Sequence, residues 1–311
     1  MKYKEWLWVW LNDYQKNYLK PRTFRNYEGV ARNHILPKLG EYELNELSLS
    51  VLQSFVVDRE TNGRGIHKTG LASGTMKIIV NVLQKSLDMA VEIGEVEYHN
   101  ANRIKMQKSS SSKEVECFSM AEQKIIENAI LNKFPNKKIG ILISLYTGLR
   151  VGEIVALRWE DVDFQNFTIT VNHTAREIYI DGKRETVLDE PKTISSKRVI
   201  PIPKRLIPYM LITKSAYNCE YVVMCKNRST TIRAYQKLYK RMLERENIKY
   251  RSFHTLRHTF ATRALECGMD VKTLSEIMGH KTPTITLNRY SHSLTEHKIA
   301  MMNRLGENLD R

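Results

Sequence analysis

The sequence has few cysteines, no long apolar run and too few acids to balance its bases. Its 4 cysteines form no C-x-x-C pair, so we interpret them as reduced thiols of a cytoplasmic protein. No apolar stretch approaches the ~18 residues of a membrane-spanning helix. The N-terminal WLWVW segment is too short and too interrupted for a secretory signal. Neither a membrane span nor a secretory leader is therefore expected.

The charge balance is strongly basic. Lysine and arginine number 49 against 34 acids, which gives a net charge of +15 over 311 residues. A surplus of this size favours an anionic polymer as partner, with nucleic acid first among the candidates. The alternative is a basic protein without a nucleic-acid partner.

Composition and periodicity predict two domains with a linker between them. Residues 1–107 have helical spacing of apolar residues throughout. The serine-rich stretch at 108–116 cannot build a core and predicts a flexible joint. Residues 117–311 combine helices with short strands of alternating pattern, predicted at 167–172, 177–180, 186–188 and 198–202. The predicted fold class is mainly α with a small antiparallel β-sheet.

The helices of the first domain supply a candidate DNA-contacting surface. A helix predicted to open at Pro21 and end at Pro37 carries several arginines on one side. A solvated helix face would have the same pattern, but the basic composition favours phosphate contacts. The basic side chains predicted to bind DNA are Arg22, Arg25, Arg32 and Lys77. An aromatic stripe at the N-terminus is predicted to pack inside the domain and comprises Trp6, Trp10, Tyr14 and Tyr18.

The segment at residues 254–290 predicts three short helices separated by turns. Ser252 is the expected N-cap of the first helix, and Gly268 the left-handed residue after it. Asp270 is the expected N-cap of the second helix and Gly279 its terminator. A third helix is predicted to start at Pro283 and to end near Tyr290.

These helices bring together side chains suited to a phosphate. His254 and Arg257 are three residues apart and share a helix face. Two tight turns would carry His280 and Tyr290 to the same face. The resulting set of imidazole, guanidinium and phenol groups has no obvious carboxylate cluster, so it fits a phosphate better than a metal.

Two metal-site interpretations are weaker. His254 and His258 have the i, i+4 spacing of zinc ligands, but the H-E-x-x-H signature is absent. Glu160, Asp161 and Asp163 could form a nuclease-type metal cluster. They lie within four residues of each other without a distant partner, so we interpret them as loop residues.

Five motifs in the second half together resemble the tyrosine recombinases, which include the integrases of phages and conjugative transposons. They occur in the family's order. They are TGLRVGEIVALRW at 147–159, EPKTISSKRVIPI at 190–202, HTLRHTFAT at 254–262, MGH at 278–280 and NRYSH at 288–292.

The resemblance implies a role for each matching residue. Arg150 and Arg257 would bind the scissile phosphate, and Tyr290 would be the nucleophile. Lys192, on a β-hairpin, would protonate the leaving 5′-oxygen. The remaining matches are the active-site histidines His254 and His280 and the supporting acid Glu153. No metal or other cofactor is implied, because guanidinium groups would neutralise the phosphate.

The resemblance also implies an architecture and partners. A helical core-binding domain and an α+β catalytic domain would form a clamp on duplex DNA. A homo-tetramer would exchange strands through a Holliday junction, with a possible accessory or directionality protein. The tail at 293–311 would pack as a helix on a neighbouring protomer or on its own domain. The chain would be a compact member or a truncated one, since the arm-binding domain of larger phage integrases has no counterpart here.

Two other functions remain as alternatives. Ala264, Gly268 and Leu274 have the spacing of a helix-turn-helix, which would suit a DNA-binding regulator without catalysis. That hypothesis explains the charge but leaves Arg150 and Tyr290 without a role. A type IB topoisomerase would use the same chemistry without sequence preference.

Overall fold

The computed structural model describes residues 1–63, 69–107, 116–131, 136–180, 183–189, 197–216, 219–225, 228–280, 282–290, 302–303 and 306–307. The chain divides into two compact units, Met1–Ser112 and Lys113–Arg311. Most of the predicted linker at 108–116 and of the predicted tail at 293–311 lies outside the described residues. Within the part of the chain that is described, no helix is long and apolar enough to cross a bilayer.

The described part of the first unit is helical. Its helices are α1 (Tyr3–Val9), α2 (Pro21–Val30), α3 (Leu36–Leu39), α4 (Leu49–Asn62) and α5 (Ser73–Glu92). Wider π-helical segments extend α1 over Trp10–Gln15 and α2 over Ala31–Ile35. The prediction that Pro37 ends the helical run is wrong. Pro37 lies in α3, directly after the π-helical segment Ala31–Ile35, and the helical run continues past it to Leu39.

The core of the first unit is built around the N-terminal aromatic residues. Trp6 and Trp10 are fully buried, whereas Tyr18 is 85% exposed. The predicted aromatic stripe therefore packs only in part, because the helical segment ends at Gln15. The indole of Trp6 donates to the Ser86 carbonyl, and the Tyr3 hydroxyl bonds the Ser86 hydroxyl, both at 2.8 Å. These bonds join α1 to α5.

The second unit contains eight helices and seven strands in its described residues. The helices are α6 (Met120–Leu131), α7 (Ile139–Thr147), α8 (Val151–Ala156), α9 (Ile207–Ala216), α10 (Ile232–Arg245), α11 (His254–Glu266), α12 (Val271–Met278) and α13 (Pro283–Tyr290). The strands are β1 (Val162–Asp163), β2 (Thr168–Val171), β3 (Thr174–Ile180), β4 (Lys183–Asp189), β5 (Arg198–Pro201), β6 (Met224–Cys225) and β7 (Arg228–Ser229).

In the described part of the chain the strands pair antiparallel, as the sequence predicts, and they form three small sheets. The order is β1-β2-β5 in the first sheet, while β3-β4 and β6-β7 form two-stranded ribbons. Ile169 of β2 lies opposite Ile200 of β5, and both side chains are buried. The alternation of β5 therefore turns Ile200 inward and exposes Val199.

Helix α7 is the centre of the second unit. It is apolar on every side, and α6, α8, α9 and α11 pack around it, as expected for a helix without a polar face. Gly148 ends it in the left-handed conformation, with φ of 69°. A Cβ on Gly148 would lie 2.6 Å from the Phe260 ring, so this turn is also closely packed.

Helices α11 and α12 form a small core of their own, in which Ala264, Leu265 and Leu274 are buried. The apolar spacing that suggests a helix-turn-helix is thus explained by packing. Gly268 is left-handed after α11, and the Asp270 side chain accepts from the N–H of Thr273 at the start of α12, as predicted.

The predicted N-cap at Ser252 is wrong. Helix α11 starts at His254, with Phe253 as its N-cap. The backbone carbonyl of Ser252 accepts from Thr255 instead. Phe253 is buried and already has helical backbone angles, so the cap position is occupied by a residue without a side-chain acceptor.

Gly152 provides a test of how closely α8 packs on β3. A Cβ at this position would lie 2.6 Å from the backbone carbonyl oxygen of Ala175, which has little freedom to move. We expect Gly152→Ala to destabilise the protein by ~1–3 kcal/mol. Gly29→Ala is the control, because nothing lies within 4 Å of the added Cβ and alanine stabilises a helix by ~0.5–1 kcal/mol relative to glycine. Thermal unfolding measures the melting temperature of each variant. Equal decreases in the two melting temperatures would contradict the packing argument.

Candidate active site

Three arginine side chains donate to three consecutive carbonyl groups at the end of α12. The bonds run from Arg198 Nε to Ile277 at 2.6 Å, from Arg257 Nη2 to Met278 at 2.5 Å and from Arg150 Nη2 to Gly279 at 3.3 Å. The last carbonyls of a helix have no intrahelical partner, and they form the negative end of its dipole. The positive charges of three arginines therefore lie close together at the end of α12.

Arg150 is held at the start of α8. Its backbone N–H donates to Glu153 Oε2 at 2.8 Å, and its Nη1 donates to Oε1 of the same carboxylate at 2.9 Å. This closes the first turn of α8 as a capping-box-like arrangement. The Arg150 side chain nevertheless remains 37% exposed. It is thus both fixed and open to a ligand.

Arg257 has a different environment. It lies in the first turn of α11 and is only 1% exposed. Its Nη1 donates to the Gly148 carbonyl at 2.6 Å. Because Gly148 is left-handed and precedes Arg150 by two residues, the same turn helps to place both arginines.

Glu153 is the carboxylate shared by this cluster. Burial by itself would raise its pKa, but the hydrogen bonds and charge of Arg198, together with Arg150, outweigh burial and hold the pKa at about 2, below the ordinary 4.5. The side chain is 6% exposed. Glu153 is therefore a buried anion whose charge depends on its arginine partners.

Arg198 is the residue of this cluster that the sequence analysis missed. It opens β5, is 7% exposed, and places Nη1 and Nη2 at 3.1 and 3.0 Å from the two oxygens of Glu153. A signal was present in the sequence. Ile200 is inward in an alternating strand, so Arg198 falls on the same inward face and needs a buried partner.

His280 follows directly on this cluster. Its backbone N–H bonds the Ser275 carbonyl across the left-handed Gly279. Its ring Nδ1 lies 2.7 Å from the hydroxyl of Thr286, a fully buried residue of α13. The turn after α12 therefore fixes the backbone of His280, and α13 fixes its ring.

His254 is the exposed first residue of α11. Its ring packs edge-on against His258 with centroids 4.6 Å apart. Among the residues that the structure describes, no group of three or more His, Cys, Asp or Glu is placed to hold a metal ion. The acids considered as loop residues hold local turns: Asp161 accepts from the Arg158 N–H, and Asp163 from Gln165.

Two predicted site residues lie wholly or partly outside the part of the chain that the structure describes. Lys192 lies outside the described residues. Tyr290 is the last residue of α13, one helical turn after Thr286, and its side chain is also outside the description. The structure thus joins Arg150 to Glu153 by direct hydrogen bonds. It brings Arg257 and Arg150 to the adjacent carbonyls of Met278 and Gly279, directly before His280.

The predicted DNA-binding residues of the first unit are exposed. Arg22 and Arg25 lie on α2, Arg32 on its extension, and Lys77 on α5. Tyr27 of α2 and Asn81 of α5 join the two helices by a hydrogen bond. Arg32 pairs with Glu28 at 3.0 Å and lies over the Trp8 ring, so it already has partners within its own unit.

Comparison with known sequences identifies relatives along nearly the whole chain. A sequence profile of the phage integrase family matches residues 119–297, and one of the phage integrase N-terminal SAM-like domain matches residues 2–58. A tyrosine recombinase XerC-like protein of Caldanaerobacter subterraneus subsp. tengcongensis is 31% identical over 325 residues. That match covers 96% of this chain and 81% of the relative.

Solved structures share the fold at lower identity. The Tn1549 transposon integrase in complex with transposon right end DNA is 23% identical, with a TM-score of 0.79 over 98% of this chain and 100% of that chain. A lambda integrase tetramer bound to a Holliday junction is 15% identical, with a TM-score of 0.64 over 91% of this chain and 79% of that one.

The Glu153 carboxylate should link stability to pH. Because its folded pKa of about 2 lies below the ordinary 4.5, its contribution is present above pH 4.5 and lost as the pH falls through 2. Glu153→Gln should lower the free energy of unfolding at pH 7 by about 3 kcal/mol. The difference from the wild type should narrow below pH 4.5. Urea unfolding at pH 7 and at pH 3 measures the free energy of unfolding of both proteins and so the difference between them at each pH.

Glu41→Gln is the matched control for this prediction. The pKa of Glu41 is also lowered to about 2, by hydrogen bonds from Lys2 and Lys4, but this carboxylate is exposed and solvent screens it. We expect a smaller loss of stability that disappears in high salt. Equal losses in the two variants would contradict the importance of burial at Glu153.

Proposed function

The chain belongs to the phage integrase family of tyrosine recombinases, and from that premise we propose that it cleaves and rejoins DNA through a covalent 3′-phosphotyrosyl bond to Tyr290. Family membership makes it a site-specific DNA strand-breaking and rejoining enzyme, not a regulator without catalysis. The proposal concerns the residues that perform the reaction and the order of its steps.

In the proposed reaction the Tyr290 oxygen attacks the scissile phosphorus. The tyrosine gives its proton to solvent water, a new O–P bond forms, and the bond from phosphorus to the 5′-oxygen breaks. Lys192 supplies the proton that the leaving 5′-oxygen takes up. A 5′-hydroxyl from the partner strand then attacks the phosphotyrosine and releases Tyr290. The energy of the phosphodiester bond is retained in the covalent intermediate.

The observation that carries this proposal is that Arg257 and Arg150 donate to the adjacent carbonyls of Met278 and Gly279 at the C-terminal end of α12. Negative charge develops on the phosphoryl oxygens as the tyrosine attacks, and preorganised donors stabilise it without further rearrangement. Guanidinium groups suit this task because they bind phosphate in a bidentate manner and keep their charge. His254 and His280 would add further donors to the same phosphate.

The two units have different proposed tasks. We propose that residues 1–107 form a core-type DNA-binding domain in which Arg22, Arg25, Arg32 and Lys77 contact phosphates, a view supported by the match to the SAM-like domain. Residues 117–311 would form the catalytic domain. Each phosphate contact should make binding weaker as salt rises, because counterions are released from DNA.

The proposed assembly is a homo-tetramer on two DNA sites, with a Holliday-junction intermediate. The lambda integrase tetramer bound to a Holliday junction has the same fold and supports this proposal. A mobile element as the substrate is supported by the likeness to the Tn1549 transposon integrase. We also propose action in the cytoplasm, where thiols such as Cys117, Cys219 and Cys267 stay free, and a possible accessory protein for directionality.

Tyr290→Phe should abolish covalent joining to a nicked suicide substrate, because phenylalanine has no attacking oxygen. DNA affinity should be unchanged. Tyr250→Phe is the control, since this exposed tyrosine of the same unit lies beside Lys240 and should retain full activity. The measurement is the amount of protein–DNA adduct that survives denaturant. A normal adduct in Tyr290→Phe, or loss of the wild-type adduct in a metal chelator, would refute the mechanism.

Arg150→Lys and Arg257→Lys should each slow adduct formation by ~10²- to 10³-fold at saturating DNA. A lysine ammonium cannot reproduce the bidentate contact. Arg263→Lys, on the same helix as Arg257 but paired with Glu266, should cleave at the wild-type rate. On a scissile methylphosphonate, which carries no negative charge, the penalty for losing either arginine should shrink. A penalty that is the same on both substrates would mean that these residues do not act on phosphate charge.

A further inference from the structure

Arg198 connects three elements of the second unit. It starts β5, binds both oxygens of Glu153 in α8 at 3.1 and 3.0 Å, and donates from Nε to the Ile277 carbonyl near the end of α12 at 2.6 Å. The Arg198 and Glu153 side chains are 7% and 6% exposed. The guanidinium thus makes these three bonds in a buried setting, where each is stronger than at the surface.

One acceptor of Arg198 also binds Arg150, and its other acceptor lies next to the carbonyls that bind the two arginines proposed to contact the phosphate. Glu153 holds Arg150, and the two carbonyls after Ile277 hold Arg257 and Arg150. The guanidinium also packs against the turn that leads to His280, since a Cβ on Gly279 would lie 2.9 Å from Arg198 Nη1. Displacing Arg198 would therefore release α8, α12 and this turn from one another.

Arg198 further determines how far Glu153 attracts Arg150. With Arg198 on both carboxylate oxygens, Arg150 bonds Glu153 through Nη1 and directs Nη2 to Gly279, and it stays 37% exposed. Without Arg198 the buried carboxylate would keep only Arg150 as a cationic partner in this cluster. An unpaired buried charge is costly, so Arg150 would fold inward onto Glu153.

We propose that Arg198 is a positioning residue for strand cleavage, which holds Glu153 and the end of α12 so that Arg150 points outward to the scissile phosphate. It does not contact the phosphate itself. The inference rests on the function proposed above for the same site. It adds a third arginine to the two that the family resemblance implies.

The test compares Arg198→Met and Arg198→Lys with a matched control. Arg205→Met is suitable, because Arg205 pairs at 3.4 Å with Glu127, another buried carboxylate of the same unit. Three quantities are measured for each variant. They are the single-turnover rate of adduct formation at saturating DNA, the affinity for DNA and the melting temperature. We expect both Arg198 variants to react ~10- to 100-fold more slowly once bound, the range typical for residues that orient reacting groups. Arg205→Met should lose thermal stability without slowing the bound complex.

The lysine variant separates charge from geometry. A lysine neutralises Glu153 but cannot bond both its oxygens and the Ile277 carbonyl together, since it lacks the planar fork. Arg198→Lys should therefore regain much of the thermal stability that Arg198→Met loses and should remain slow. Wild-type cleavage by Arg198→Lys would overturn the proposal, as would slow reaction explained fully by weaker DNA binding or unfolding.

A readout that does not need catalysis measures the position of Arg150 directly. Modification by phenylglyoxal, located by peptide mass spectrometry, reports how accessible each arginine is in the folded protein. Arg150 should react several-fold less in Arg198→Met than in the wild type, while the exposed Arg22 reacts equally in both. Unchanged Arg150 reactivity would overturn the positioning role. Absence of any wild-type DNA adduct would instead reject the proposed function, and the Arg150 reactivity would still report on Arg198.

Discussion

The buried carboxylate of Glu153, surrounded by arginines at the end of α12, is the interaction on which the site depends. Arg150 and Arg198 bind this carboxylate, and the terminal carbonyls of the helix accept hydrogen bonds from both of them and from Arg257. Partial negative charge from a helix C-terminus stabilises nearby cations without cancelling them. The cluster therefore keeps a positive excess in a fixed place, which is what a site for phosphoryl transfer requires.

The scaffold around the cluster consists of short elements joined by left-handed glycines. Gly148 lets the chain leave the central helix α7 and start α8 after three intervening residues, and Gly279 turns the chain between α12 and His280. Both positions are closely packed, against Phe260 and Arg198 respectively. A site on rigid elements with tight turns keeps its donors in position before the ligand arrives.

The two arginines that we propose to bind the phosphate have different environments, which would suit different tasks. Arg150 is partly exposed and shares its carboxylate with Arg198, so small changes around Glu153 alter its direction. Arg257 is buried and bonds two backbone carbonyls, so its position follows the backbone. In the mechanism that we propose, Arg257 would contact the phosphate from a fixed position, and the position of Arg150 would be adjustable.

The local features of this protein could be predicted from its sequence. The cap at Asp270 and the left-handed turn at Gly268 depend on residues close in the chain, as does the end of α12 at Gly279. Where a distant contact overrides local preference, prediction from sequence failed, as at Ser252 beside the buried Phe253. The course of the helix through Pro37 and the exposure of Tyr18 were missed because both depend on where a helical segment ends.

The assembly of the site depends on contacts between segments that are distant in the chain. Two acceptors of Arg198 are far from it in the chain, one 45 residues before it and the other 79 residues after it. The burial of Arg257 and the bond from Thr286 to His280 likewise depend on how α11, α12 and α13 pack. A sequence motif specifies which side chains are present. Their hydrogen-bond partners and exposure follow from packing between distant segments, and packing also determines which arginine can reach a phosphate.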